Sequence, residues 1–155
     1  LQDSITTIAL KDNLKEELQQ LKQNNKYIVL DVAGRDSAEF RSALLTADVL
    51  IIPTQPSQTD IEVLPFVLRL VNTAKQVNKN LKTFVVLNKA PTNNKSTEID
   101  AALELLQQVK SVKTLNTILR DRKQFRDAMI EGKSVLEMGS SKAKDELNEF
   151  LVEIL

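Results

Sequence analysis

The chain has 155 residues, 42% hydrophobic and 27% charged, with 21 Lys+Arg balanced by 21 Asp+Glu. That is enough for one domain, 1–155, around a single core, and zero net charge leaves any nucleic-acid contact to a local patch. The absence of Cys and His excludes disulfides, thiolate or imidazole metal ligands and a histidine general base. The apolar runs are too short to cross a bilayer and no signal peptide is visible, so a soluble, reducing compartment is the default.

In chain order, Leu14, Leu18 and Leu21 repeat at helical spacing between Asp12 and Asn25 and predict a surface helix. Tyr27–Asp31 (YIVLD) is continuous and β-branched, as expected of a strand covered on both faces. Asp36-x-x-Glu39 reads as a capping box for a short helix to about Ala47. Val49–Pro53 is a second strand, and Thr59-x-x-Glu62 opens a helix expected to bury Val63, Val67, Leu70, Val71, Ala74 and Val77. Pro65 falls early in that helix. Thr83–Leu87 is a third strand, ended by Asn88-Lys89-Ala90-Pro91. A helix over Thr97–Val109 and a weaker strand over Thr114–Leu119 come next. Asp121-x-x-Gln124 starts a short helix capped by Gly132. Ser140 or Ser141 caps the last helix, whose buried stripe is Ala143, Leu147, Leu151 and Ile154. Alternating strands and helices imply βαβ crossovers, a mostly parallel sheet and a three-layer α/β/α fold. Ligands of such sheets bind at the carboxyl ends of the strands, where Asp31, Thr54, Asn88 and Lys89 fall.

Three groups of residues carry candidate chemistry. A carboxylate closing an apolar strand, as Asp31 does, is costly unless it is solvated, paired or near a metal. Gly34 then permits a close backbone approach or a swing. On its own, D-x-x-G serves equally well as a turn. The carboxamide of Asn88 can donate to and accept from a purine edge, and Lys89 can lay its stem along a base, although N-K-x-P is also a plain turn signal. Arg120, Arg122, Lys123 and Arg126 form a basic group. Arg122 and Arg126 are expected on one helix face that contacts phosphates, or that is simply solvated with Asp121 and Asp127 as ion partners. The last helix mixes Lys142 and Lys144 with Asp145, Glu146, Glu149 and Glu153, which argues against an anionic membrane surface.

The stretch YIVLDVAGRDSAEFRSALLTADVLIIPTQPSQTDIEVL resembles the Walker B strand, switch loop, short helix and P-x-x-P-S-x-x-D strand end of the partition-type ATPases of the ParA/ParF kind, in the MinD/ParA superfamily. VVLNK resembles that family's adenine-contacting strand end. ILRDRKQFRDAMIEGKSVLEM resembles its late arginine-bearing helix and G-x-S-V-x-E turn. The resemblance runs through residues 27–155 in order and implies a deviant Walker-type P-loop NTPase fold. It implies that Asp31 is catalytic and associates with Mg²⁺ through water, and that Gly34 belongs to the nucleotide switch. Asn88 and Lys89 would meet the adenine of ATP or ADP, with Arg120 and Asp121 flanking the base. Arg122, Lys123 and Arg126 become candidates for nonspecific DNA contact. The implied partners are a second copy of the chain, nonspecific DNA and a centromere-bound partition protein, in the cytoplasm on the nucleoid, with no membrane. Ala33 stands where many members have proline.

One departure is large. The 155 residues contain no G-x-x-x-x-G-K-[ST] and no strand ending in D-x-D-x-Q, so the first strand and phosphate loop of that fold are missing. They are expected upstream of Leu1, with Leu1–Leu10 as the tail of the segment that comes after them. The chain alone is expected to hold no nucleotide tightly. The alternative is a non-enzymatic binding module that kept the fold and lost the loop. Iron-protein relatives need cysteines, a septum-positioning relative wants a more basic C-terminus, and the loops of a dethiobiotin-type synthetase are not recognisable.

Overall fold

The computed structural model describes residues 5–11, 14–93, 97–109 and 112–155. Residues 1–4 of the opening stretch, and Asp12 at the expected start of the first helix, lie outside them. The chain divides into two compact units, Leu1–Asp48 with Arg69–Leu81, and Val49–Leu68 with Lys82–Leu155.

In the first unit, α1 (Lys15–Asn24) and α2 (Ala38–Thr46) share a core of Leu14, Leu18 and Ala43, joined by Leu10, Leu21, Ile28, Leu30 and Val32. The expected leucine stripe of α1 is therefore the one buried. Ser37, not Asp36, caps α2: its hydroxyl accepts the Phe40 N–H at 3.1 Å, while Asp36 takes Arg41 in a two-point ion pair at 2.6 and 2.7 Å. At the other end of α2, the Asn78 carboxamide donates to the Leu44 and Ala47 carbonyls at 3.0 and 2.8 Å, satisfying orphan helix-end acceptors.

The strand expected over Tyr27–Asp31 does not form; none of those residues is in a β-ladder. Burial alternates instead. Ile28, Leu30 and Val32 pack into the α1/α2 core, whereas Tyr27 is 70% and Val29 93% exposed. The apolar run suits a strand with neighbours and cover on two sides. Here one side is covered, and no described strand supplies ladder hydrogen bonds.

In the second unit, β1 (Val49–Thr54), β2 (Lys82–Ala90) and β3 (Lys113–Arg120) make a parallel sheet in the order β1-β2-β3. The fold class is α/β, with helices on both faces of the sheet. Val85 and Leu87 pack on one face against Leu64 and Leu68 of α3 (Gln58–Lys75) and Ile99, Ala102 and Leu106 of α4 (Thr97–Gln107). Phe84 and Val86 face the other way, with Ile51, Leu115 and Leu119 and with Phe150 and Ile154 of α6 (Lys142–Ile154). Central strand β2 is thus apolar on both sides, which is why TFVVL shows no alternation.

α3 starts at Ser57, whose hydroxyl accepts the Asp60 N–H at 3.3 Å, while the Asp60 carboxylate reaches back to the Gln55 N–H at 3.1 Å. The S-x-x-D of the motif is therefore a helix start, ahead of the expected Thr59-x-x-Glu62. The helix runs on through Pro65. Its buried face is Leu64, Val67, Leu68, Val71 and Ala74, with Val63 and Val77 exposed. This face is rotated from the expected one, because α3 is apolar over more than one stripe and periodicity alone does not choose between them.

The C-terminal elements α5 (Lys123–Ile130), a 3-10 turn (Val135–Glu137) and α6 share a small core of Ala128, Val135 and Ala143. Gly132 has φ 64° and lets the Lys133 N–H reach the Ala128 carbonyl at 2.9 Å, closing α5 in a Schellman arrangement. Ser134 and Glu137 then form a capping box, with the Glu137 carboxylate on the Ser134 N–H at 2.7 Å. The G-x-S-V-x-E pattern is accounted for by this turn. Ser141 caps α6 by accepting the Lys144 N–H at 3.3 Å. Among the described residues no helix is long and apolar enough to cross a membrane.

Candidate nucleotide site

The carboxyl end of β2 is irregular. Pairing to β3 shifts register between Leu87 and Ala90, so Asn88 and Lys89 occupy a bulge. Lys89 has φ 51°, the one positive value among the described non-glycine residues. A side-chain-bearing residue in the left-handed region is uncommon and marks a site where local geometry is imposed. The Asn88 side-chain oxygen accepts the Lys89 N–H at 3.0 Å, which supports the bend and leaves the Asn88 amide group able to donate outward.

β3 ends beside this bulge. Ala90 pairs with Arg120, and the Asp121 N–H donates to the Ala90 carbonyl at 2.8 Å. The Arg122 N–H then turns back to the Arg120 carbonyl at 2.8 Å, a three-residue turn centred on Asp121. Asn88, Lys89, Arg120 and Asp121, four of the residues singled out for the base, therefore meet at one end of one sheet. The Asp121 carboxylate is held by Arg126 of α5.

The basic group does not form one face. Arg122 precedes α5 as its N-terminal cap residue, and its side chain is only 16% exposed. Its guanidinium donates to Glu146 Oε1 through Nη2 at 2.6 Å and Nε at 3.0 Å. Lys123 pairs with Asp127 at 2.9 Å one turn along α5. Lys123 and Arg126 are exposed, Arg122 is not. The expectation that Arg122 and Arg126 share a helix face fails because the helix starts after Arg122.

Asp31 is exposed at the end of its apolar run and has no hydrogen bond or ion pair among the described residues. Among the described residues no three acidic side chains converge as a metal cage. A lone carboxylate fits a Mg²⁺ that keeps most of its water and shares phosphate oxygens, and does not fit an all-protein site. Gly34 does not have positive φ, and a Cβ placed there meets nothing within 4 Å. Its freedom is unused in this conformation. Asp31 and Gly34 belong to the first unit, and the β2 bulge and the turn at Asp121 to the second.

Sequence reasoning passed over Glu146, which it read as part of the polar face of α6. The signal available was its spacing to Glu153, two helical turns away on the same face and flanking the buried stripe.

A family model described as an AAA domain matches residues 2–85, more than half of the chain. The chain belongs to this AAA-domain family, among the ParA-type partition ATPases. Similar proteins include "Maintenance of carboxysome distribution protein A" of Halothiobacillus neapolitanus, 27% identical over 90% of this chain and 65% of that protein. The sporulation initiation inhibitor protein Soj of Bacillus subtilis is 24% identical over 85% of this chain and 52% of its own length. A ParA family protein of Mycoplasma genitalium is 29% identical over 50% of this chain and 29% of its own. This ParA-type chain thus spans 65% and 52% of the first two relatives.

Proposed function

We propose that this chain carries the Walker B, switch and base-binding parts of a ParA-type ATPase, whose phosphate loop lies outside these 155 residues. The observation that carries the reading is the bulge at Asn88 and Lys89, with Lys89 at φ 51°. It stands against a braced turn at Asp121, at the carboxyl ends of a parallel sheet in a chain of this family. In this reading Asn88 reads the adenine edge, Lys89 lies along the base, and Arg120 and Asp121 flank it. Asp31 would hold Mg²⁺ through water, and Gly34 would move with the γ-phosphate. When bound, Mg²⁺ would neutralise charge on the phosphates, and water would displace ADP from the γ-phosphorus to give phosphate.

The whole protein would bind ATP and Mg²⁺, dimerise, and coat nonspecific DNA through the basic group. It would release DNA when a centromere-bound partner stimulates hydrolysis, in the cytoplasm on the nucleoid. Lys123 and Arg126 suit the DNA role better than Arg122, being exposed and able to exchange a carboxylate for a phosphate.

A relative named for carboxysome distribution supports a second reading, in which the cargo positioned is a protein body rather than a plasmid. A third is the non-enzymatic module that lacks a phosphate loop altogether. Measuring Mg²⁺-dependent ATP turnover of the complete gene product tests the main reading. Absence of turnover, with no lysine-bearing glycine loop in the gene, favours the module.

A further inference from the structure

The turn that ends β3 is held from outside by one side chain of the last helix. Glu146 Oε2 accepts the Arg120 N–H at 3.2 Å, and Oε1 takes the Arg122 guanidinium at 2.6 and 3.0 Å. The Arg120 guanidinium also lies near, with Nε 3.9 Å from Oε1. Both shoulders of the turn therefore lead to one carboxylate, itself only 14% exposed. The centre of the turn is tied to Ala90, at the end of the strand that presents Asn88 and Lys89. That one bond to Ala90 fixes the turn at its centre, and the ladder supplies no bond to the N–H of Arg120 or to the side chain of Arg122 on its two shoulders. Glu146 holds those shoulders through charge-assisted bonds, the stronger kind.

Fastening α6 to β3 does not need this carboxylate. Glu153 already holds the strand at Asn116 and Thr117, and Phe150 and Ile154 pack beneath. What Glu146 adds is rigidity at the open end of the sheet. We propose that Glu146 is a positioning residue for the nucleotide base, locking residues 120–122 beside Asn88 so that the base enters a preformed slot. The inference rests on the nucleotide reading above.

The test is steady-state hydrolysis of ATP and of GTP by the complete gene product. Glu146→Gln keeps the shape and removes the charge. It should raise the KM for ATP about five- to ten-fold, keep kcat within about two-fold, and cut the ATP-over-GTP preference in kcat/KM at least about three-fold. Glu153→Gln loosens the same helix away from the base and should keep wild-type KM and preference. Wild-type KM and preference in E146Q overturn the proposal, as does an E153Q enzyme with the same defect as E146Q. If E146Q is insoluble, Glu146→Asp, which keeps the charge on a shorter arm, is read by the same two ratios. A wild-type protein that turns over no ATP overturns the nucleotide reading and this inference with it. Turnover with an unmoved preference overturns this inference alone.

Discussion

The Glu153 carboxylate accepts the Thr117 backbone N–H at 3.0 Å and the Thr117 hydroxyl at 2.9 Å. Its other oxygen takes the Asn116 N–H at 2.8 Å and the Asn116 carboxamide at 3.1 Å. Pairing of β2 with β3 shifts register between Val85 and Leu87, from Thr114 to Ile118, so Asn116 and Thr117 fall in an irregular stretch of β3 whose N–H groups the carboxylate satisfies. Helix α6 therefore does more than cover one face of the sheet with Phe150 and Ile154. Its acidic side chains also accept backbone N–H groups of β3 at Asn116, Thr117 and Arg120.

Glu153→Gln should destabilise the folded chain by about 1.5–3 kcal/mol at neutral pH, the usual range for hydrogen bonds to a charged group. Burial works to raise the carboxyl's pKa. The Asn116 and Thr117 N–H groups and the Thr117 hydroxyl outweigh it and hold the pKa below the ordinary glutamate value. Because the folded pKa is depressed, the stabilisation is present above the unfolded value and is lost as pH falls through the folded one. Urea melts across the acid range should show the gap between wild type and E153Q closing in that window. A gap independent of pH would contradict the charged contact.

Asp31→Ala should lower Mg²⁺-dependent ATP turnover of the complete protein by about ten-fold or more. Stability should stay within about 0.5 kcal/mol, because the side chain is exposed and unpartnered among the described residues. Unchanged turnover would remove Asp31 from the site. A drop in stability would instead make it a structural residue.

Charge reversal separates the basic residues. Lys123→Glu with Arg126→Glu should weaken DNA binding at low salt. The slope of log affinity against log salt should fall by about one for each phosphate that the pair no longer neutralises. Arg122→Glu should act on folding, costing about 3 kcal/mol, since it sets two carboxylates against each other in a mostly buried pair. Equal DNA affinity of the K123E/R126E protein in low salt would leave that surface merely solvated.

The glycines should also differ. Gly132→Ala forces a Cβ onto φ 64° and should cost about 1–2 kcal/mol. Gly34→Ala meets nothing within 4 Å and should leave the melting curve of the chain in place, within about 0.5 kcal/mol. Any fall in turnover it causes would then report on movement rather than on folding.

Much was legible in the chain itself. The helices fall where apolar spacing places them, and β1, β2 and β3 coincide with runs of branched residues. The motif order identified the family before any fold was known. Finer features were not legible. Ser37 and Ser57 rather than Asp36 and Thr59 start their helices, because several cap-capable residues sit side by side and only backbone geometry selects one. The buried stripe of α3 was misplaced because the helix is apolar on adjacent faces.

What the sequence determined by itself is local: element type outside Tyr27–Asp31, chain order, the strand-end positions of Asn88, Arg120 and Asp121, and the lack of a glycine-rich phosphate loop in these residues. What only the tertiary structure decided is partnership. Tyr27–Asp31 has strand composition yet joins no ladder, because a strand exists only through hydrogen bonds to a neighbour. Glu146 and Glu153 look like solvated charges, yet they grip backbone 26 and 36 residues away along the chain. Those contacts join residues far apart in sequence, and no period in a linear pattern encodes which distant group a carboxylate will meet.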